Sequence, residues 1–170
     1  MTTPTPRRVY ISRHGERIDK VDCSWALTAK NPDNPPLSER GHQQARELAQ
    51  FLKGEGITRI ICSPFIRCVE TANYIAEALD IPICIEHGIC EVLYTVPPGY
   101  DSVEELQKRF PKVDTTYTPV TVPNALEEYD DICIQRVSPI GAKVLAKFPP
   151  SETLLFMGHG ASVYGLLCGM

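Results

Sequence analysis

Val9-Tyr-Ile-Ser-Arg-His-Gly-Glu-Arg17 decides the reading of this chain. Its first residues form a short apolar run of the kind buried in a sheet, and the rest is polar and charged, so a strand ends where chemistry can begin. Two later segments repeat the arrangement. Arg59-Ile-Ile-Cys62 runs into Ser63-Pro64 and Arg67, and Thr153-Leu-Leu-Phe-Met157 runs into Gly158-His-Gly160. Strands that are apolar throughout, with helical patterns between them, predict an α/β fold: a three-layer, mostly parallel sheet with helices on both faces. Ligands of such sheets sit at the carboxyl ends of the strands. Arg13, His14, Arg67 and His159 are therefore expected to converge.

Working outward, Asn31-Pro-Asp-Asn-Pro-Pro36 closes a long polar excursion and reads as a lid or rim. Ser38 is a good N-cap, and Ala45, Leu48, Ala49 and Leu52 fall on one helical face before Gly54 ends the run. Ser63-Pro64 reads as an N-cap with proline at the first helical position, opening a helix that carries Val69, Ala72, Ala76 and Leu79 inward. Residues 81–85 read as a strand, followed by a loop with His87, Cys90 and Glu91. Ser102-Val-Glu-Glu105 has capping-box spacing, and residues 111–123 read as an extended, Pro/Thr-rich surface connection. Cys133, Val137, Ile140, Val144 and Phe148 step by three and four, which predicts a helix over about 126–148, with Pro139 as a kink.

At 170 residues and 43% apolar the chain suffices for one domain, expected over residues 8–170 behind a flexible Thr/Pro tail over 1–7. Seventeen Lys and Arg against 21 Asp and Glu give a formal charge of −4, which excludes a general attraction to nucleic acid or an anionic membrane. Neither a signal peptide nor an apolar span is read, so the expected location is cytoplasmic. Seven cysteines, an odd number without a C-x-x-C pair, fit reduced thiols and read as core residues.

A phosphoryl group passing through a loose transition state needs positive charge on its equatorial oxygens, an in-line nucleophile and a proton for the leaving oxygen. Arg13, Arg17 and Arg67 offer planar charged forks, a neutral His14 or His159 can attack phosphorus, and Glu91 is the candidate acid. Taken singly, a His-Gly or an Arg-x-x-x-Arg is usually structural, and His42 and His87 keep that reading. Cys62 precedes Arg67 by one residue too few for the C-x5-R loop of cysteine phosphatases. The four histidines show no zinc-ligand spacing, and neither metal nor cofactor is expected.

Arg13-His-Gly15, Leu37-Ser-Glu-Arg-Gly41 with Gln44-Ala45, Ser63-Pro-Phe-Ile-Arg67 with Glu70-Thr-Ala72, and Gly158-His159 together resemble the histidine phosphatase (phosphoglycerate mutase-like) superfamily. Cys62-Ser-Pro, Arg67-Cys68 and Val113-Asp-Thr-Thr-Tyr117 with Pro119 resemble most its branch of Sts-type phosphatase domains and ecdysteroid-phosphate phosphatases. The resemblance implies His14 as nucleophile, Arg13, Arg17, Arg67 and His159 as the phosphate pocket, and Glu91 as acid/base. It implies a phosphomonoesterase acting on a phosphotyrosine-like or steroid phosphate, hence a phosphorylated protein or small molecule as partner. The alternatives are a weak phosphate-binding pseudophosphatase or interaction domain, and a phosphoglycerate mutase-type phosphotransferase.

Two departures stand out. Val92 follows Glu91 where that branch usually has an aromatic residue, and the chain ends at Met170 where family members continue. The helix after His159 is expected to set Val163, Leu166 and Leu167 on the sheet, and the short end to lower stability or be covered in a homodimer.

Overall fold

A computed structural model describes residues 7–170. Its elements, in chain order, are β1 (Val9–Arg13), α1 (Trp25–Thr28), α2 (Glu39–Phe51), β2 (Ile57–Cys62), α3 (Ile66–Leu79), β3 (Ile83–Ile85), α4 (Val103–Arg109), α5 (Asp130–Ala146), β4 (Thr153–Gly158) and α6 (Gly160–Gly169). The four strands run parallel in the order β1-β4-β2-β3. Successive residues point to opposite faces. Ile60, Leu155 and Met157 pack with α2 and α3, whereas Ile61, Leu154 and Phe156 pack with α5 and α6. This is the three-layer α/β arrangement that the apolar strands imply.

Residues 1–6 of the expected tail lie outside the described residues. Arg7, grouped with that tail, donates from Nε to the Glu152 carbonyl at 3.0 Å and from Nη1 to the Leu145 carbonyl at 2.7 Å, so it is tied to the folded domain.

Ser38 caps α2 by accepting from the Gly41 amide at 3.0 Å, and Ser102 and Glu105 form the capping box of α4. The start of α3 differs from expectation. The Ser63 hydroxyl lies against a histidine instead of capping, the helix begins at Ile66, and the Ile66 amide is satisfied by Asn34 Oδ1 at 2.8 Å. The Pro-rich excursion thus supplies a buried cap as well as a rim.

Three further expectations are corrected. β3 begins at Ile83, two residues late, and α5 begins at Asp130, the Glu127 backbone before it being turned to Leu93, whose carbonyl accepts from the Glu127 amide at 2.9 Å. The connection over 111–123 is anchored. Val113 bridges to Ile83, and Glu86, 0% exposed, accepts from Tyr117 Oη at 2.7 Å and from the Val120 amide at 2.7 Å. A buried carboxylate needs such donors, and this segment provides them.

α6 leans on α5. A Cβ at Gly165 would lie 2.9 Å from Val137 Cβ, so the glycine permits that approach. Leu166 is buried, but Leu167, expected on the sheet, is exposed because it falls on the opposite side of a helix turned toward α5. Pro139 lies inside α5. Among the described residues no helix is long and apolar enough to cross a membrane.

Candidate active site

The carboxyl ends of β1 and β4 are joined by the His14 amide, which donates to the Gly158 carbonyl at 3.1 Å. The turn after β1 sits on the start of α2. A Cβ at Gly15 would lie 2.6 Å from the Gly41 carbonyl oxygen, one at Gly41 would overlap the Glu16 carbonyl, and the Ser38 amide donates to that same carbonyl at 2.8 Å. Only glycine permits this approach.

His14 is 8% exposed. Its Nδ1 lies 2.7 Å from the Gly15 carbonyl, which accepts only from an N–H, so Nε2 carries the lone pair and has no partner. Burial holds the imidazole down to about 3; the Gly15 carbonyl opposes this, and the charges of Arg67, Arg13 and Arg17 add to it. The ring is therefore neutral at neutral pH.

Arg67 is the second residue of α3 and 2% exposed, and its Nε and Nη1 have no partner. Its guanidinium lies over the Phe65 ring at 4.6 Å, and burial pulls it below its ordinary value. A buried cation with unused donors is costly unless an anion satisfies it. Arg17 is held differently: Asp19 grips its Nε at 2.8 Å and its Nη2 as well, and the same pairing holds the Asp19 carboxyl below the usual range. Arg13 is exposed and borders, with His14, Arg17, Lys20 and Gln44, an open cavity of about 290 Å³.

His159 follows β4 and is 0% exposed. Its ring centroid lies 5.2 Å from that of His14 and 5.3 Å from that of Phe65. Burial, reinforced by Arg67 and His14, keeps it well below its ordinary value and hence neutral. Glu91 Oε2 lies 3.7 Å from His159 Nδ1, and Glu91 Oε1 accepts from the Val92 amide at 3.2 Å. Burial pushes the Glu91 carboxyl up, against that amide and Arg67.

The structure thus brings Arg13, His14, Arg17, Arg67, Glu91 and His159 to one end of the sheet. His42 is apart from them, against Tyr74, and His87 faces Tyr100. Cys68 is buried and its thiol pushed up to about 12, so it is no nucleophile. No group of three or more His, Cys, Asp or Glu suited to a metal occurs among the described residues.

Two supports escape a sequence reading. Ser63 contacts His159, and Arg136 on α5 donates to the carbonyls of Gly88, Cys90 and Glu91 while pairing with Glu127, which pins the loop that carries Glu91. Arg17, Arg67 and Glu91 border a second cleft of about 160 Å³, walled by Phe65, Val92 and Tyr94.

Residues 9–170 match the model of the histidine phosphatase superfamily, branch 1. The chain belongs to this superfamily. Its fold and family place it among phosphatase and mutase-like proteins. It is 33% identical over 180 residues to the transcription factor tau 55 kDa subunit of Saccharomyces cerevisiae, a match covering 93% of this chain and 39% of that protein. It is 28% identical over 206 residues to human ubiquitin-associated and SH3 domain-containing protein A, covering 95% of this chain and 30% of that one. The chain therefore spans well under half the length of these relatives. Among solved structures, ecdysone phosphate phosphatase from Bombyx mori superposes with a TM-score of 0.78 at 24% identity, over 96% of this chain and 77% of that one. The fold of the histidine phosphatase superfamily accounts for the convergence at the strand ends.

Proposed function

We propose that this histidine phosphatase domain is a metal-independent phosphomonoesterase that acts through a phosphohistidine on His14. The observation that carries the reading is the pairing of a partnerless His14 Nε2 lone pair with the unused Nε and Nη1 donors of buried Arg67. These groups lack partners in the protein and match a phosphoryl group: a lone pair for phosphorus and donors for its oxygens. Arg13 and Arg17 add charge from the same side.

In the first step Nε2 bonds to phosphorus as the bond to the leaving oxygen breaks, and Glu91 gives that oxygen its proton. The raised Glu91 carboxyl fits a proton donor. In the second step water attacks phosphorus, Glu91 takes a proton back, and His14 is released. Phe65, Val92 and Tyr94 beside Glu91 support a bulky, largely apolar leaving group such as a phosphotyrosine-like or steroid phosphate. A cytoplasmic location goes with this reading.

Phosphate release from an aryl phosphate, measured for the wild type beside His14→Ala, tests it, together with trapping of labelled phosphate under acid-free quenching. Label on His14 and no turnover in the variant are expected. Label on a cysteine or on His159 overturns the assignment, and phosphate binding without release favours a non-catalytic binding domain. The naming of the yeast relative as a transcription factor subunit is the observation on that second side.

A further inference from the structure

Glu91 stands apart from the other residues of the site in how its backbone is held. His14 and His159 follow directly on β1 and β4, and Arg67 lies in the first turn of α3. Glu91 comes well past the end of β3 at Ile85, on backbone outside every helix and strand. A proton donor must nonetheless meet the leaving oxygen within hydrogen-bond reach, and a displacement of about 1 Å can cost on the order of 10²-fold in rate.

Two residues supply what the secondary structure does not. Arg136 Nη1 donates to the Gly88 carbonyl at 2.8 Å, and Nη2 to the carbonyls of Cys90 at 3.2 Å and of Glu91 itself at 3.3 Å. The guanidinium also pairs through Nε and Nη2 with Glu127, and Nη2 lies 3.3 Å from Cys133 Sγ, so the two Nη2 hydrogens are shared among these acceptors. Glu127 takes the other end of the acid's loop. Its Oε2 accepts from the Leu93 amide at 3.1 Å, and its own amide donates to the Leu93 carbonyl at 2.9 Å. The main chain is thus gripped at Glu91 and again at Leu93 by the two members of one ion pair. Between them the Val92 amide donates to Glu91 Oε1 at 3.2 Å, which folds the carboxyl back on the held backbone. Arg136 lines neither cleft at the site, and the side chains of Arg136 and Glu127 are 14% and 5% exposed.

We propose that Arg136 and Glu127 are positioning residues for Glu91: their ion pair clamps the main chain at Glu91 and at Leu93, and so fixes the place from which the acid meets the leaving oxygen. The clamp stands on the geometry, and its service to proton transfer rests on the phosphatase reading. Removing two charges from water offsets much of their mutual attraction, so a buried ion pair is a weak source of stability. Its use here is direction. A guanidinium carries its donors in a rigid planar fork, so the carbonyls that meet it are set relative to one another as well as held. An ammonium at the same place offers the charge without the fork. Arg136 touches Glu91 through the carbonyl and not the carboxyl, which leaves the acid's proton free to move.

Arg136→Lys separates the charge from the fork. In steady-state assays of the full chain, kcat/KM for phenyl phosphate, the poorer leaving group, should fall about tenfold, and for nitrophenyl phosphate several times less, because a nitrophenolate departs without a proton. Introduced into Glu91→Gln, the same change should cost phenyl phosphate less than about twofold, since an acid already removed cannot be misplaced. Equal losses for the two substrates, or full additivity with Glu91→Gln, overturn the positioning role, because a merely structural residue lowers all these rates alike. Hydrogen exchange reads the clamp without turnover. The Leu93 amide should exchange about tenfold faster or more in Arg136→Lys while the β4 amides keep their protection, and an unchanged Leu93 refutes the clamp. Should Arg136→Lys fail to fold, Glu127→Gln, which keeps an oxygen for the Leu93 amide but gives up the charge that holds Arg136, is read in the same assays with the same outcomes. A protein with the expected exchange pattern but no phosphate release in the wild type supports the clamp and overturns the phosphatase reading, so the two fail separately.

Discussion

Arg67 and Tyr94 border the same cleft, yet Arg67 is 2% exposed and Tyr94 68%. The side of the cleft that carries Arg67 is made of strand ends and the first turn of α3, cross-tied by the His14 amide to β4 and by Asn34 to α3. The Tyr94 side is a loop whose tie to the facing excursion is an exposed hydrogen bond, Thr95 Oγ1 to Asp33 Oδ2 at 3.3 Å. The difference teaches a division of labour. Charge placed for a transition state must not reorganise, so it is buried in regular structure, whereas the wall that meets a leaving group can sit on a surface loop and adapt.

The contrast breaks most directly if rigid-side substitutions prove mild. Arg67→Ala should lower kcat/KM by roughly 10² or more, the scale of one transition-state donor, and a loss below about tenfold in steady-state assays would refute the assignment. Next in size comes Glu91→Gln. It should cost about 10² for a poor leaving group and far less for a nitrophenolate, which departs without a proton; equal losses remove Glu91 from the acid role.

The pH profile sharpens the same point. Because burial holds His14 down to about 3, the nucleophile stays unprotonated far into acid, and the acid limb of kcat/KM from this group lies below the ordinary imidazole range. The Glu91 carboxyl is raised, so its proton is lost as pH climbs through that raised value and the rate falls on the alkaline side. In Glu91→Gln that limb should vanish.

Loop-side effects should be smaller. Tyr94→Ala is expected to raise KM for an aryl substrate by about threefold with kcat nearly unchanged, as for partial loss of an exposed apolar contact. A fall in kcat of tenfold or more would join the loop to the rigid half.

The smallest effect is on stability. An unfolded histidine takes a proton near 6.5, whereas folded His14 resists until about 3. Between those values the unfolded chain binds the extra proton, so acidification destabilises the fold. From neutral pH to a pH of about 5 the His14 contribution is about 2 kcal/mol at most. A shallower fall in melting temperature for His14→Asn over that range checks it.

The sheet was legible because apolar strands ending in charged residues carry their own signature, and Arg13, His14, Arg67 and His159 meet for that reason. What escaped depends on partners far apart in sequence. Asn34 capping α3, Glu86 gathering Tyr117 and Val120, and Arg136 bracing the Glu91 loop have no local pattern. Ser63 misled for the converse reason: its local pattern is that of a cap, and a distant histidine claimed the hydroxyl. Glu127, ahead of α5, is likewise tied to Leu93 and Arg136, partners that its local pattern does not announce.

The contact between Gly15 and Gly41 makes two distant stretches of sequence a single mechanical joint. A methyl group at either position acts as a wedge between the first turn of α2 and the turn that leaves β1. His14 stands next to that joint, so the displacement is delivered to its imidazole as through a short lever. Neither glycine can therefore be exchanged independently of the other's backbone. An alanine at Gly41, well away in sequence from every charged group at the site, should disturb the His14 ring as surely as a change made beside it.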